Sequence, residues 1–494
     1  MSNTAKFILK NLDGPLSSSL ILGTAYLQER INYIKKKYKS SNKQTVLSEL
    51  NKTHLIHVYS AYKQTTPIAN EYVKLQSRSG QVSWGSEAIF DLPDIGHFWA
   101  DMVFNLTVGE IGKKSGKAFS GDPLYNYCEL PGIRIIEEVS LTIDGNPIDK
   151  YTSDDALFVY NFETPPLKRT SLERCLGQEQ PKTGYVTYND LSVRERCDIV
   201  SGPQTPRPYQ PALDMWIPTF FWFNKGIENA LCSGYVPYGQ RFVKFKISDV
   251  SNILQKTDIN GNMISMNHSE YPSITKCSLY VNNIMLDPVI YDLFLDKVTF
   301  RVARIFNSTS HALTTANGRV WINKFKYPTE YMYFGFRPRE NKITVEHWHK
   351  FKVINKNPVP VPIASYGNND VPVLSRENIN YWEDSNVINN LSITIGNGLK
   401  IHSDIVPNFF NSYMPYITPN IASPNDMGLF ILPFNQKPLM NSITGYIDMT
   451  RIRDFYIEYS SSYINTSKEV DLVIMSKSIN FLIISKTMAL KFAT

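Results

Sequence analysis

The stretch Glu346-His347-Trp348-His349 holds the residues best suited to metal chemistry. On a strand, His347 and His349 would share one face, and two imidazoles on one face can serve zinc. No third ligand stands at a typical spacing, so the four residues are better explained as an aromatic-rich strand end. Neither a metal nor a cofactor is expected. Adjacent carboxylates occur at Glu137-Glu138 and Asp154-Asp155. Neighbours on a strand face opposite ways, so these pairs read as solvated or hydrogen-bonded positions rather than an acid–base couple. Trp216 and Trp222 bracket an apolar strand and read as core rather than a ligand platform. Glycine-rich phosphate loops, nucleophile elbows and His-Glu-x-x-His helices are missing from the sequence. Without those frameworks no catalytic residue is expected, and the chain does not read as an enzyme.

The five cysteines (Cys128, Cys175, Cys197, Cys232 and Cys277) are odd in number and never spaced as CxxC. They read as reduced thiols, not as a disulfide framework or zinc site. The net charge of +6 is spread thinly over 494 residues, which does not imply nucleic-acid binding. No apolar run is long enough to span a bilayer, and the N-terminus lacks the basic start and long apolar stretch of a signal peptide.

The elements that would carry any site are mostly strands. From Phe98 to Val108, Phe98, Ala100, Met102, Phe104, Leu106 and Val108 alternate with Trp99, Asp101, Val103, Asn105 and Thr107. One face is wholly apolar, as a strand on a sandwich core requires. The same period runs through Val139-Leu141-Ile143, Val243-Phe245-Ile247, Val298-Phe300-Val302 and Phe455-Ile457-Tyr459. Two near-continuous apolar runs, Leu472–Ile474 and Ile479–Ile484, suit buried strands. Between strands, 109–124, 161–207, 250–274, 306–318 and 355–388 read as long polar loops.

The first fifty residues stand apart. Leu20, Leu27, Ile31, Ile34 and Tyr38 recur at helical spacing, and Lys35, Lys36 and Lys37 gather toward the C-terminal end, where they suit the helix dipole. This is either a short helix packed on its own domain or an arm that grips a partner or a membrane surface.

An internal repeat is also visible. Phe223-Asn224 is echoed by Phe434-Asn435, and Gly234-Tyr235 by Gly445-Tyr446 (434 − 223 and 445 − 234 both give 211). A second echo pairs Leu141-Thr142-Ile143-Asp144-Gly145-Asn146 with Ile393-Thr394-Ile395-Gly396-Asn397, at an offset of 252 (395 − 143). Duplication of one β domain accounts for both. Phe223 and Phe434 are then expected on equivalent strand ends, both buried, and Gly234 and Gly445 in equivalent bends.

Further residues carry a family likeness: Tyr127-Cys128-Glu129-Leu130-Pro131-Gly132, Gly202-Pro203-Gln204-Thr205-Pro206, Phe221-Trp222-Phe223-Asn224, Pro237-Tyr238-Gly239, His349-Lys350-Phe351 and Phe455-Tyr456-Ile457. In order, and over nearly the whole chain, they resemble the major capsid proteins of the African swine fever virus type, within the double jelly-roll family of nucleocytoplasmic large DNA viruses. The resemblance implies an all-β fold of two tandem eight-stranded jelly rolls with an N-terminal helical arm. The division would be 1–50 arm, 51–290 first roll and 291–494 second roll. It implies a homotrimeric, pseudo-hexameric capsomer of an icosahedral shell, with minor capsid and penton proteins as partners. Virions would be built in the host cytoplasm near an inner membrane, and the residues Leu20, Leu27, Ile31, Ile34, Lys35, Lys36, Lys37 and Tyr38 would face inward. This chain departs by being shorter: 167–201 lacks most of a long insertion and 109–124 is reduced, so a lower outer tower is expected. A transient membrane-associated scaffold of the same fold and a two-domain glycan-binding sandwich are the alternatives.

Overall fold

The computed structural model describes residues 32–33, 35–37, 68–93, 95–114, 122–187, 194–200, 202–235, 241–286, 291, 299–354, 359–361, 379–381, 384–396, 398–485 and 488–491. The chain divides into two compact units. One comprises Met1–Ala69 with Leu286–Ile290, and the other Asn70–Met285 with Tyr291–Thr494. Of the first unit, Asn32, Tyr33 and Lys35, Lys36 and Lys37 are helical.

Sixteen strands organise the second unit and its borders. The first eight are β1 (Ile68–Gln76), β2 (Glu87–Asp91), β3 (Phe98–Val108), β4 (Ile136–Ile143), β5 (Asn146–Thr152), β6 (Leu213–Pro218), β7 (Arg241–Ile247) and β8 (Ile274–Leu286). They form two sheets, in the orders β1-β8-β3-β6 and β2-β7-β4-β5. The next eight are β9 (Thr299–Leu313), β10 (Asn317–Trp321), β11 (Pro328–Pro338), β12 (Asn390–Ile395), β13 (Leu399–Ile405), β14 (Leu429–Pro433), β15 (Phe455–Ser460) and β16 (Val470–Ser485). Their orders are β9-β16-β11-β14 and β10-β15-β12-β13. Eight added to each label of the first set gives the second, so one eight-stranded jelly roll occurs twice.

Each roll closes on the alternating residues that the period of two points to. Phe98, Ala100, Met102, Phe104, Leu106 and Val108 are all buried, as are Val139, Leu141, Ile143, Val243, Phe245 and Ile247. Across the first core, Phe104 stacks on Phe245 with centroids 4.2 Å apart, and Phe90 meets both edge-on. In the second core, Phe334 and Phe336 of β11 pack on Phe430 of β14, and Phe336 also meets Tyr459 of β15.

The duplication is visible in matching hairpins. Asp144 (φ 53) and Gly145 (φ 72) turn β4 into β5, and Gly396 (φ 56) and Gly398 (φ 77) lie between β12 and β13. The 252-residue echo therefore falls on equivalent strands. The 211-residue echo does not keep register. Phe434 follows β14 directly, whereas Phe223 stands five residues beyond the end of β6. Gly234 comes after the short strand Leu231–Cys232, while Gly445 comes before its counterpart Ile447–Asp448. Both short strands pair with the start of the third strand of their roll, β3 or β11. Phe223 is buried and Phe434 only half-buried. Both phenylalanines lie in corresponding connections, and connections change length without cost to the core.

Other expectations are corrected too. Residues 306–313 are strand, the second half of β9, paired with β16 down to Leu313↔Val470. The runs Leu472–Ile474 and Ile479–Ile484 belong to one strand, β16, because the polar residues between them are also buried. The stretch 161–207 holds a helix (Pro166–Cys175) and a hairpin (Pro181–Thr187 with Arg194–Val200). In β9 the core face is Ala303 and Ile305, not the phase of Val302. Trp222 is buried, but Trp216 lies on the outer face of its sheet, 39% exposed and tilted against Tyr280 with centroids 5.1 Å apart.

Candidate functional site: the seam between the two rolls

The strand β11 is buried on nearly every residue. Alternation explains how. Phe334 and Phe336 point into the roll's own core, so Tyr331, Tyr333, Gly335 and Arg337 share the opposite face. That face is covered by the first roll, through β5, the helix Ser153–Phe158 and the π-turn Val159–Glu163. Phe162 stacks on Tyr333 with centroids 4.4 Å apart, and Tyr151 packs on Phe306 of β9 at 5.1 Å.

Many polar groups in this seam find partners across it. The Asp149 Oδ1 accepts from the Phe306 backbone N at 3.0 Å, and Asp155 Oδ2 accepts from Ser308 Oγ at 3.2 Å. Arg337 donates from Nη1 and Nη2 to the two carboxylate oxygens of Asp154, at 2.7 and 2.8 Å. Arg134 reaches across to the carbonyls of Thr344 and Lys342, each at 3.3 Å. Trp348 Nε1 donates back to the Glu129 carbonyl at 2.7 Å. Glu163 pairs with Lys225 and accepts from the Tyr331 hydroxyl at 3.1 Å.

Local sequence places these acids. Thr152 caps the helix Ser153–Phe158 in a capping box with Asp155, which holds both carboxylates in the first turn, where the dipole favours them. Burial opposes a charge on Asp154, but the Arg337 guanidinium outweighs it and keeps the carboxyl below its ordinary range. Asp155 lacks such a partner, and burial pushes it up to about 6. Lys477 of β16 is 1% exposed, and burial with the nearby Lys225 pushes its amine down to about 7. These contacts hold two sandwiches in one fixed arrangement. They present no nucleophile paired with a base.

The residues singled out in the sequence are not brought together here. Lys35, Lys36 and Lys37 are helical, and Lys36 and Lys37 are exposed. Leu20, Leu27, Ile31, Ile34 and Tyr38 lie outside the described residues. His347 and His349 sit in a turn rather than on a strand, since the chain must bend there to bring Trp348 and Phe351 back onto β11. No cluster of three His, Cys, Asp or Glu suited to a metal occurs among the described residues. Sequence reasoning missed the Asp154–Arg337 pair altogether. The capping pattern of Thr152 and Asp155 was the available signal.

Comparison with known proteins bears on this architecture. A family described as "Major capsid protein N-terminus" matches residues 58–287. The hexon protein p72 of African swine fever virus (isolate Tick/Malawi/Lil 20-1/1983) is 25% identical over 648 aligned positions that cover 100% of both chains. The chain is a major capsid protein similar to those of large DNA viruses. It is a structural component of the virion capsid, not an enzyme. The alignment is longer than the 494 residues of this capsid protein, so gaps open on its side. The major capsid protein of Phaeocystis pouchetii virus is 23% identical over 233 residues, 46% of this chain and 43% of that one. Among solved structures, the Faustovirus major capsid protein superposes with a TM-score of 0.73 at 22% identity, over 96% of this chain and 100% of that one. The PBCV-1 VP54 structure does so at 0.63 and 16%, over 88% and 99%. Both likenesses concern the fold, the double jelly roll already traced strand by strand.

Proposed function

We propose that three copies of this capsid protein form a pseudo-hexagonal capsomer, and that capsomers tile an icosahedral shell. One observation carries the reading: the same strand order occurs twice in one chain. Three chains then supply six similar blocks, which can occupy the corners of a hexagon with only threefold symmetry. The seam supports it further, because blocks that slid against each other within a chain could not hold a regular outline. The rolls divide at 51–290 and 291–494, behind an arm at 1–50.

In this reading the arm residues Leu20, Leu27, Ile31, Ile34, Lys35, Lys36, Lys37 and Tyr38 face the particle interior. They contact minor capsid proteins or an inner membrane, in virions built in the host cytoplasm. Penton proteins close the fivefold corners, and no nucleic acid is bound directly. Light scattering of the purified full chain tests the assembly. Three times the monomer mass is expected at micromolar concentration. A folded monomer under those conditions overturns it.

A further inference from the structure

The connection after β6 and the connection after β14 flank a cleft of about 450 Å³. Its lining is unevenly charged. Lys225 and Arg304 contribute cations, Lys477 adds a buried amine, and Glu228 is the one carboxylate among the lining residues. Glu228 already accepts from Asn441 Nδ2 at 2.7 Å. Lys225 pairs with Glu163 and Arg304 with Glu330, but neither of those acids lines the cleft. Arg304 uses Nε and Nη2 on Glu330, so Nη1 is not spent on that pair. Lys477 is buried, and its Nζ has no hydrogen-bond partner. A buried amine without an acceptor is costly, and the cost falls if an acceptor arrives from outside the chain.

Two further features suit a ligand. Trp222 and Met440 give the cleft apolar wall, and Met440 is 43% exposed, at the solvent side. Leu439 in the lining holds a left-handed backbone (φ 64). A bulky residue in that conformation is strained, and such strain collects where a chain is shaped to meet a ligand.

From this geometry we propose that the cleft binds a small oxyanion, a carboxylate or phosphate borne on a short apolar body. The anion sits among Lys225, Arg304 and Lys477, and the body lies along Trp222 and Met440. Such a ligand touches both rolls at once. It therefore strengthens their junction at the edge of the seam, beside Tyr331 and Lys477.

The test is titration calorimetry on the purified full-length assembly, with hexanoate, inorganic phosphate and the neutral hexanamide as probes. Saturable binding of at least one oxyanion is expected, with none for hexanamide at the same concentration. Tighter hexanoate assigns a carboxylate on an apolar body, and tighter phosphate assigns a phosphate group. Met440→Glu, an exposed change that leaves the core intact, should weaken binding by about tenfold or more through charge repulsion. Lys477→Met should do the same if it folds. The proposal fails if neither oxyanion saturates, if hexanamide binds equally, or if Met440→Glu binds like the parent.

Discussion

Arg337 and Asp154 meet as a two-pronged ion pair across the seam, with N–O distances of 2.7 and 2.8 Å. One partner stands on the second roll's β11, the other on a helix of the first. The Arg337 side chain is 2% exposed, and its Nη1 also reaches the Trp348 carbonyl at 3.3 Å. The pair thus orients one roll on the other, and a planar guanidinium suits that task better than a point charge.

Removing one side of this pair leaves an uncompensated charge. Arg337→Ala should cost about 3–5 kcal/mol in urea unfolding, the usual penalty for breaking a buried pair. Arg337→Lys should recover only part of it, because an ammonium cannot engage both oxygens in the same plane. A loss indistinguishable from zero for Arg337→Ala would place the orientation of the rolls elsewhere.

Lys477 makes a pH prediction. Its amine is lowered in the folded protein to about 7, against 10.5 for the ordinary group. Between those values the unfolded chain holds a proton that the folded chain releases. Stability contributed by this group therefore rises with pH from about 7 to 10.5 and is lost again on acidification through that window. Lys477→Met removes the term. Unfolding free energies measured at several pH values across the window should rise more steeply for the parent than for the variant. Equal slopes would show that the amine keeps its ordinary affinity for protons.

Gly428 precedes β14, and a Cβ there would stand 2.2 Å from the Phe351 carbonyl oxygen. Backbone, not a flexible side chain, blocks the space. Gly428→Ala should lower stability by roughly 1–3 kcal/mol or more, as overpacking does. Thermal melting of the variant at parental temperature would mean that the 351 segment yields easily.

Thiol labelling should separate the cysteines. Cys175 is exposed, whereas Cys128 is buried, and burial pushes its thiol up to about 12. Cys277 is pushed to about 12 by burial as well. In the native protein at neutral pH, maleimide should modify Cys175 quickly and leave Cys128 and Cys277 untouched until unfolding. Peptide mapping that finds rapid modification of Cys128 would contradict the packing of the first roll.

Much of each sandwich was legible because a half-buried strand writes its face into the sequence. The strand Arg241–Ile247 shows this to the residue, and the hairpin pair at Ile143 and Ile395 revealed the duplication. The seam was illegible for the same reason. When both faces of a strand are covered, alternation disappears, as along β11, and nothing in the residue order says which neighbour covers the second face. Polar residues in β16, Ser476 and Ser478, looked like a break between two strands. In fact Ser478 Oγ meets Asn307 Nδ2 at 2.9 Å and Thr329 Oγ1 at 3.1 Å. The echo of Phe223 in Phe434 was misleading because identity in a connection carries no register.

The sheet orders bear on how the protein is made. In each roll the last long strand in the sequence is an inner one: β8 lies between β1 and β3, and β16, followed by the four-residue strand Met488–Lys491, between β9 and β11. While the ribosome is still extending the chain, each of these sheets waits with a gap at its centre. The first can be filled once Leu286 has emerged, but the second only after Val470–Ser485 is synthesised. Until then β9 and β11 offer unpaired backbone to any neighbouring nascent chain, and pairings so distant in sequence form slowly. In a cell producing many copies side by side, the interval between those two events is the period of greatest exposure to aggregation.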